Sequence, residues 1–167
     1  MKDSSKGQWK ITDREMWKNK AMAFVTRSHR HLWGKNNEDP LAFLFLCGLE
    51  NQFAKDMIFG WNKFGQKRSP ENWGLCNESC PTEKLFLPAG IVVPYIVKKE
   101  LKSVFIHSYD KNATYIIPGS ATTFLTLEHG PSLRKTIRAD NLFRGLKLFQ
   151  DTEDCQVIIQ GPFSFSC

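Results

Sequence analysis

The sequence lacks the features that would place the protein in a membrane or assign it a familiar catalytic chemistry. No apolar run reaches the about 18 residues that a membrane-spanning helix needs. Residues 1–10 are polar and carry no apolar core of a secretion signal. A glycine-rich phosphate loop, an HExxH zinc motif and a G-x-S-x-G nucleophile motif are also missing. We therefore expect a soluble, cytoplasmic protein without a membrane partner.

The cysteines are scattered, and their number and placement argue against a disulfide framework and against a metal centre. The 167 residues include five cysteines, an odd number that fits free thiols in a reducing compartment. Cys76 and Cys80 are spaced like half of a zinc site, but zinc needs a second ligand pair, and His107 and His129 are isolated. We expect no bound metal ion or other cofactor in this chain by itself.

Acidic residues are outnumbered by basic ones. Lys and Arg number 23 against 17 Asp and Glu, which gives a formal charge of +6. An excess of this size suits an anionic partner such as nucleic acid, although many proteins carry a similar solvated surplus. The charge is compatible with nucleic-acid binding but does not require it.

The first 60 residues predict a small helical subdomain, residues 12–60, after a flexible lead-in, residues 1–11. Thr12 and Glu15 have the spacing of a capping box, and apolar residues three and four apart continue this helix to residue 33. Two shorter helices follow, over residues 41–47 and 51–58. The polar face of the first helix is basic, and we interpret it as a solvated surface. Its cations are Lys18, Lys20, Arg27 and Arg30.

Residues 61–84 predict a basic connecting loop, because glycine and proline interrupt the segment. Its cations Lys63, Lys67 and Arg68 are interleaved with the aromatic residues Trp61, Phe64 and Trp73. Such a loop can grip a phosphate backbone and stack a ring on a base. The aromatic rings can equally pack into the core and anchor the loop there, and both interpretations remain open.

Residues 85–127 carry the strongest β pattern and predict a central, mainly antiparallel sheet. Apolar runs at residues 91–97 and 103–108 flank a short polar connection, Lys98-Lys99-Glu100, that suits a hairpin. A third run, residues 114–117, ends at a proline and a glycine that stop a strand.

Residues 133–167 alternate strand, helix and strand. The helix, residues 142–150, follows Asp140 and Asn141, which can cap it. A β-α-β unit is the building block of a parallel sheet, so this segment either adds to the central sheet or belongs to a larger domain. The predicted fold class is therefore α+β.

Five short motifs occur in an order that carries more information than each motif alone. They lie at residues 24–32 (FVTRSHRHL), 48–62 (GL … IFGWN), 73–94 (WGL … LFLPAGIVVP), 115–120 (YIIPGS) and 139–161 (strand–helix–strand). In this order they resemble the TOPRIM-type DNA primases of bacteria and phages, in particular the primase-like proteins of mobile elements. The resemblance covers roughly residues 20 to 161.

The resemblance implies the template-binding part of a primase core, with the central sheet facing DNA beside a metal-dependent TOPRIM site. In the family, a glutamate after the first TOPRIM strand and a later Asp-x-Asp hold Mg²⁺. Asp140 is the counterpart of that glutamate, and the Asp-x-Asp has no counterpart here. His107 and Ser108 stand in place of the family's basic pair, and Thr114 in place of another expected arginine; histidine and serine cannot hold a phosphate bidentately. Mg²⁺ would bind only if a partner chain completed the site.

We predict a primase-derived, non-catalytic module that binds single-stranded DNA, with RNA as the other strand type. One alternative is half of a truncated or split DNA primase, which needs a downstream primase or helicase chain and uses Asp140 in catalysis. Another is a structural remnant without independent activity. Trp61 or Tyr109 would stack on a base. The other predicted contacts to the strand are Lys63, Lys67, Arg68, Lys98, Lys99, Lys102, His107 and Lys111.

Overall fold

The computed structural model describes residues 9–131 and 135–166. Within those ranges the chain forms α-helices and mainly antiparallel β-sheets, which confirms the α+β class. The helices are α1 (Arg14–Leu32), α2 (Glu38–Leu46), α3 (Asn51–Asp56) and α4 (Leu142–Asp151). The strands are β1 (Trp9–Ile11), β2 (Gly60–Asn62), β3 (Gln66–Arg68), β4 (Leu75–Asn77), β5 (Leu85–Leu87), β6 (Gly90–Val97), β7 (Glu100–Ser108), β8 (Ala113–Ile116), β9 (Phe124–Glu128), β10 (Lys135–Ala139), β11 (Cys155–Gln160) and β12 (Phe163–Phe165).

The central sheet has five strands in the order β12-β8-β7-β6-β2. Its neighbours are antiparallel except β12, which runs parallel to β8. The predicted hairpin joins β6 and β7, and Lys98 and Lys99 turn it with φ values of 49° and 66°. Positive φ at both central residues is the requirement of a type I′ turn, whose twist matches that of the strands. The hairpin prediction is confirmed.

Both faces of the central sheet are covered. One face contributes Val92 and Ile106 to a core shared with α1, whereas the other contributes Val93 and Phe105 to a core shared with α2, α4 and β9. This alternation follows from the two-residue period of a strand. The expectation that the sheet faces a DNA template is therefore wrong, because no open face is left for it in the described part of the chain.

The first helix begins one residue later than the capping box predicts. The Asp13 carboxylate caps α1 by accepting a hydrogen bond from the Met16 amide at 3.0 Å, so Thr12 is not the cap. Helix α1 is held on the sheet by Trp17, whose Nε1 donates to the Pro118 carbonyl at 2.8 Å. The ring of Trp17 also fills the space that a side chain would need at position 119, which glycine occupies.

Residues 61–84 are not a loop, so this prediction is wrong. Strand β2 forms an edge of the central sheet, β3 pairs with β5, and β4 pairs with β1. Of the predicted lead-in, Trp9–Ile11 forms β1, and residues 1–8 lie outside the described residues. These strands have three residues each, too few to show an alternation of apolar and polar positions, and their pairing partners stabilise them.

The predicted β-α-β unit is present, because β10 and β11 are parallel and α4 connects them. It does not extend the central sheet. Strand β11 instead pairs with β9, and the three strands form a separate sheet in the order β10-β11-β9. The chain then returns to the central sheet as β12 beside β8. Within the described residues, no helix is both long and apolar enough to cross a bilayer.

Candidate nucleic-acid interface

A surface groove of about 370 Å³ lies between the C-terminal end of α1 and the turn that joins β2 to β3. Its walls are close because β2 packs directly on α1 at Gly60, where an added Cβ would lie 2.6 Å from the backbone of Ser28. The imidazole of His29 is also 2.9 Å, through Nδ1, from the Phe59 carbonyl. We call this depression the basic groove; it is lined by Arg30, His31, Gly34, Lys35, Asn36, Trp61, Asn62, Lys63, Phe64 and Gln66.

The groove carries a net positive charge. Arg30, Lys35 and Lys63 are cations at neutral pH, and among the described lining residues none is acidic. These three side chains form no ion pair with a carboxylate in the described part of the chain. Their charges are therefore available to an anionic ligand.

An exposed aromatic ring stands among these cations. The Phe64 side chain is 67% exposed, and the Lys63 ammonium lies 5.5 Å from the centres of both the Phe64 and Trp61 rings. Aromatic rings next to lysines are the usual means by which proteins hold unpaired bases and their phosphates together. The Lys63–Phe64 pair has the chemistry of a nucleotide contact.

The turn that bears this pair is anchored from below. The buried Asn62 donates its amide hydrogens to the carbonyls of Leu87 at 3.2 Å and Pro88 at 2.6 Å. Its Oδ1 accepts a hydrogen bond from Gln66 Nε2 at 2.9 Å. Because these partners use both ends of the amide, Asn62 has a structural role: it fixes the β2–β3 turn against β5. Phe64 is thus presented from a fixed backbone.

Of the residues predicted to bind nucleic acid, Lys63 and Trp61 are the two that line the groove. Trp61 is only 8% exposed and belongs to the core, so it is not available to stack on a base as predicted. Tyr109 is half-buried against Phe43 with ring centres 5.4 Å apart, and this burial raises its pKa. Of the aromatic residues that line the groove, Phe64 is the exposed one.

His107 lies in the core, so its predicted contact to a strand is wrong. The side chain is 5% exposed and packs between the rings of Phe43 and Phe143, at 5.4 and 4.9 Å. Its Nδ1 is 2.9 Å from the Thr114 hydroxyl. Burial lowers the pKa of His107 and keeps the imidazole neutral near pH 7.

The remaining predicted cations are spread over the surface. Lys98 and Lys99 are exposed at the tip of the β6–β7 hairpin, and Lys111 is exposed in the β7–β8 turn. Lys67 and Arg68 are exposed on β3, where Arg68 donates to Gln66 Oε1.

Lys102 is engaged by a neighbouring carboxylate. It pairs with Glu100, which also binds Lys18 at 2.5 Å. These two lysines, Lys102 foremost, lower the pKa of Glu100 to about 2. Because Glu100 neutralises its charge, Lys102 is less available to a nucleic-acid phosphate than the unpaired cations of the groove.

The ionisable groove residues that the sequence analysis did not propose as ligand contacts are Arg30, His31 and Lys35, whereas Phe64 is one of the rings it placed in the basic segment. Arg30 was interpreted as part of a solvated helix face, and the helix does leave it exposed. The available signal was the run Arg30-His31 at the end of α1 followed by Lys35 in the next loop. Only the packing of β2 on α1 brings this run next to Phe64.

Asp140 is exposed directly after β10, at the carboxyl end of a parallel strand. The cap of α4 is Asn141, whose side chain accepts from the Arg144 amide at 3.1 Å. Among the residues that the structure describes, no group of three His, Cys, Asp or Glu side chains is placed to hold a metal ion. Cys76 and Cys80 are free thiols.

No family model, curated protein or solved structure matches this chain. The resemblance to TOPRIM primases therefore stays a prediction from the sequence motifs. The geometry of the basic groove has to be interpreted on its own chemistry.

Proposed function

We propose that this protein binds single-stranded DNA through the basic groove and catalyses no reaction on it by itself. The observation that carries the proposal is the exposed Phe64 ring between unpaired cations that line one depression. The primase-like order of sequence motifs supports the same class of ligand, since that family handles template strands. Single-stranded RNA offers the same groups and is the second strand type to be compared.

The cations account for the affinity to phosphate. If Arg30, Lys35 and Lys63 each contact one phosphate, binding releases about three counterions. The logarithm of affinity then falls against the logarithm of salt concentration with a slope of about −2, at about −0.7 per contact for single strands.

The aromatic ring accounts for a preference for single strands. A base in a duplex is paired and stacked on its neighbours, so a side chain on the surface cannot cover its face. An unpaired base can stack on Phe64, and such a stack contributes about 1–3 kcal/mol. A duplex of the same length keeps the phosphate contacts but loses this contribution.

The test is a fluorescence-anisotropy titration with labelled oligothymidylate at several salt concentrations. We expect Phe64→Ala to weaken binding at least about fivefold and Lys63→Ala to lower the salt slope by about 0.7. Phe45→Ala is the matched aromatic control, because Phe45 is 79% exposed on α2 outside the groove. Lys20→Ala is the matched cation control, because Lys20 is exposed on α1 outside the groove.

Three results would contradict the proposal. If no binding of oligothymidylate is detected at low salt, single-stranded DNA is not the ligand. If the affinity does not depend on salt concentration, the cations do not contact phosphates. Equal losses in the Phe64 and Phe45 variants exclude the groove as the site.

The placement of Asp140 bears on the split-primase alternative. An exposed carboxylate at the carboxyl end of a parallel strand suits a metal site completed by another chain. That alternative requires primer synthesis only when a partner chain and Mg²⁺ are both present. If Asp140→Asn leaves such activity unchanged, Asp140 has no metal role.

A further inference from the structure

A second depression, of about 410 Å³, lies on the small hairpin-like sheet of β3 and β5. We call it the hairpin pocket; it is lined by Lys67, Thr82, Glu83, Lys84 and Phe86. Lys67 and Phe86 are directly opposite each other in the register of the two strands. Leu85 and Leu87 point into the core, so Phe86 lies on the outer face.

The hairpin pocket adjoins the basic groove. Gly65 follows Phe64 in the β2–β3 turn, and an added Cβ there would be 3.2 Å from the Phe86 ring. Gln66 lines the groove and its neighbour Lys67 lines the pocket. The two depressions therefore lie on either side of one short turn, each with a phenylalanine ring and at least one lysine.

The charges of the pocket are positive on balance. Its lining includes two lysines, Lys67 and Lys84, and one carboxylate, that of Glu83, which accepts a hydrogen bond from Asn77. Lys84 also interacts with Glu71, whose pKa is lowered chiefly by hydrogen bonds from its own backbone and Ser69 and in smaller part by Lys84. Lys67 is consequently the cation that is most available to a phosphate.

We propose that the hairpin pocket is a second nucleotide subsite, so that the ligand is a strand of several nucleotides that crosses the Phe64–Gly65 turn. The inference rests on the proposed function of the basic groove. A single strand presents bases and phosphates in alternation, and the two depressions repeat a ring and a cation in the same alternation. A mononucleotide or a very short oligomer fills only one of them.

The test compares oligothymidylates of about three and about twelve nucleotides in the same anisotropy assay. We expect Phe86→Leu and Lys67→Ala each to lower the affinity for the longer oligomer at least about fivefold. The affinity for the shorter oligomer should stay within about twofold of the wild-type value. Phe86→Leu keeps apolar packing on Gly65 but removes the stacking ring, and Phe86→Tyr restores the ring and the affinity. Urea unfolding of each variant verifies that the fold is retained. Lys20→Ala, at an exposed lysine outside both depressions, is the control for loss of charge alone.

The outcomes separate this inference from the proposed function. If Phe64→Ala weakens both oligomers while Phe86→Leu and Lys67→Ala change neither, the groove binds DNA and the second subsite is wrong. If the wild-type protein binds both lengths equally, the inference is wrong as well. If Lys67→Ala lowers the affinity for the longer oligomer and Phe86→Leu does not, the pocket attracts any polyanion by charge alone. That result also overturns the second subsite. If no oligomer binds, the proposed function fails together with the inference.

Discussion

Substituting Gly60 by alanine tests the contact that gives the basic groove its shape. At this position β2 crosses α1 so closely that an added Cβ would lie 2.6 Å from the carbonyl carbon and the Cβ of Ser28 and 2.7 Å from the His29 amide nitrogen. Ordinary van der Waals contact begins near 3.4 Å. The strand and the helix must therefore separate by about 0.8 Å, the difference between those two distances.

Backbone atoms cannot rotate away as the end of a long side chain can, so the core has to accommodate this shift. Overpacking of a close-packed core costs about 1–3 kcal/mol. We expect Gly60→Ala to lower the free energy of unfolding by that amount. Since α1 carries Arg30 and the β2–β3 turn carries Lys63, we also expect the wider groove to bind single-stranded DNA several-fold more weakly.

The measurements are urea unfolding followed by circular dichroism and the anisotropy titration under conditions in which the variant is folded. Gly65→Ala is the control for stability, because its Cβ would lie 3.2 Å from the Phe86 ring, which can give way, and an ordinary 3.9 Å from the Ala89 amide nitrogen. Replacing Ser28 by glycine in the Gly60→Ala protein should not restore stability, since the backbone atoms of Ser28 and His29 remain. A Gly60→Ala protein with the unfolding midpoint of the wild type would refute the close packing of α1 and β2.

Two further predictions concern the stability of the fold. Burial lowers the pKa of His107 below its ordinary value of about 6.5. As the pH falls, the unfolded state therefore takes up this proton first, and the free energy of unfolding decreases below about pH 6.5. We expect His107→Phe to reduce this decrease in urea unfolding at pH 5 to 7; an unchanged pH dependence would contradict the burial of a neutral His107. Gln150 accepts a hydrogen bond from the Glu50 amide at 2.7 Å and donates to the Gly48 carbonyl at 3.1 Å. Gln150→Ala should lower the free energy of unfolding by about 1–2 kcal/mol, at about 1 kcal/mol for each hydrogen bond. Gln52→Ala, at an exposed glutamine, is the control. Equal stability of the two variants would show that these hydrogen bonds do not join α4 to the helical segment.

Much of the central sheet could be predicted because its signals are local. The apolar runs of β6 and β7 are eight and nine residues long, and the connection between them has turn chemistry of its own. The helical spacing in α1 and α4 is equally local. The β-α-β connection then followed, since a helix between two strands normally returns the chain parallel to the first strand.

The short strands β2, β3 and β4 could not be predicted because their partners lie elsewhere in the chain. Strand β3 reads Gln-Lys-Arg, which has no β pattern, yet it pairs with an apolar strand that anchors it. The strand β9 looked like part of the central sheet and pairs instead with β11, about 30 residues later. His107 was misassigned for a related reason, since sequence alone does not show that both faces of β7 are covered.

By itself, the sequence determined the α+β class, the hairpin, the basic excess and the presence of aromatic residues among the cations. These properties depend on residue type and on spacing within one helix or strand. Only the tertiary structure decided which of the many cations and rings share a site. It buried Trp61 and His107, paired Lys102 with a carboxylate, and placed Lys63 and Phe64 beside Arg30 and Lys35. The physical reason is that a binding groove is made by the approach of distant segments, here at a glycine where α1 and β2 touch backbone to backbone.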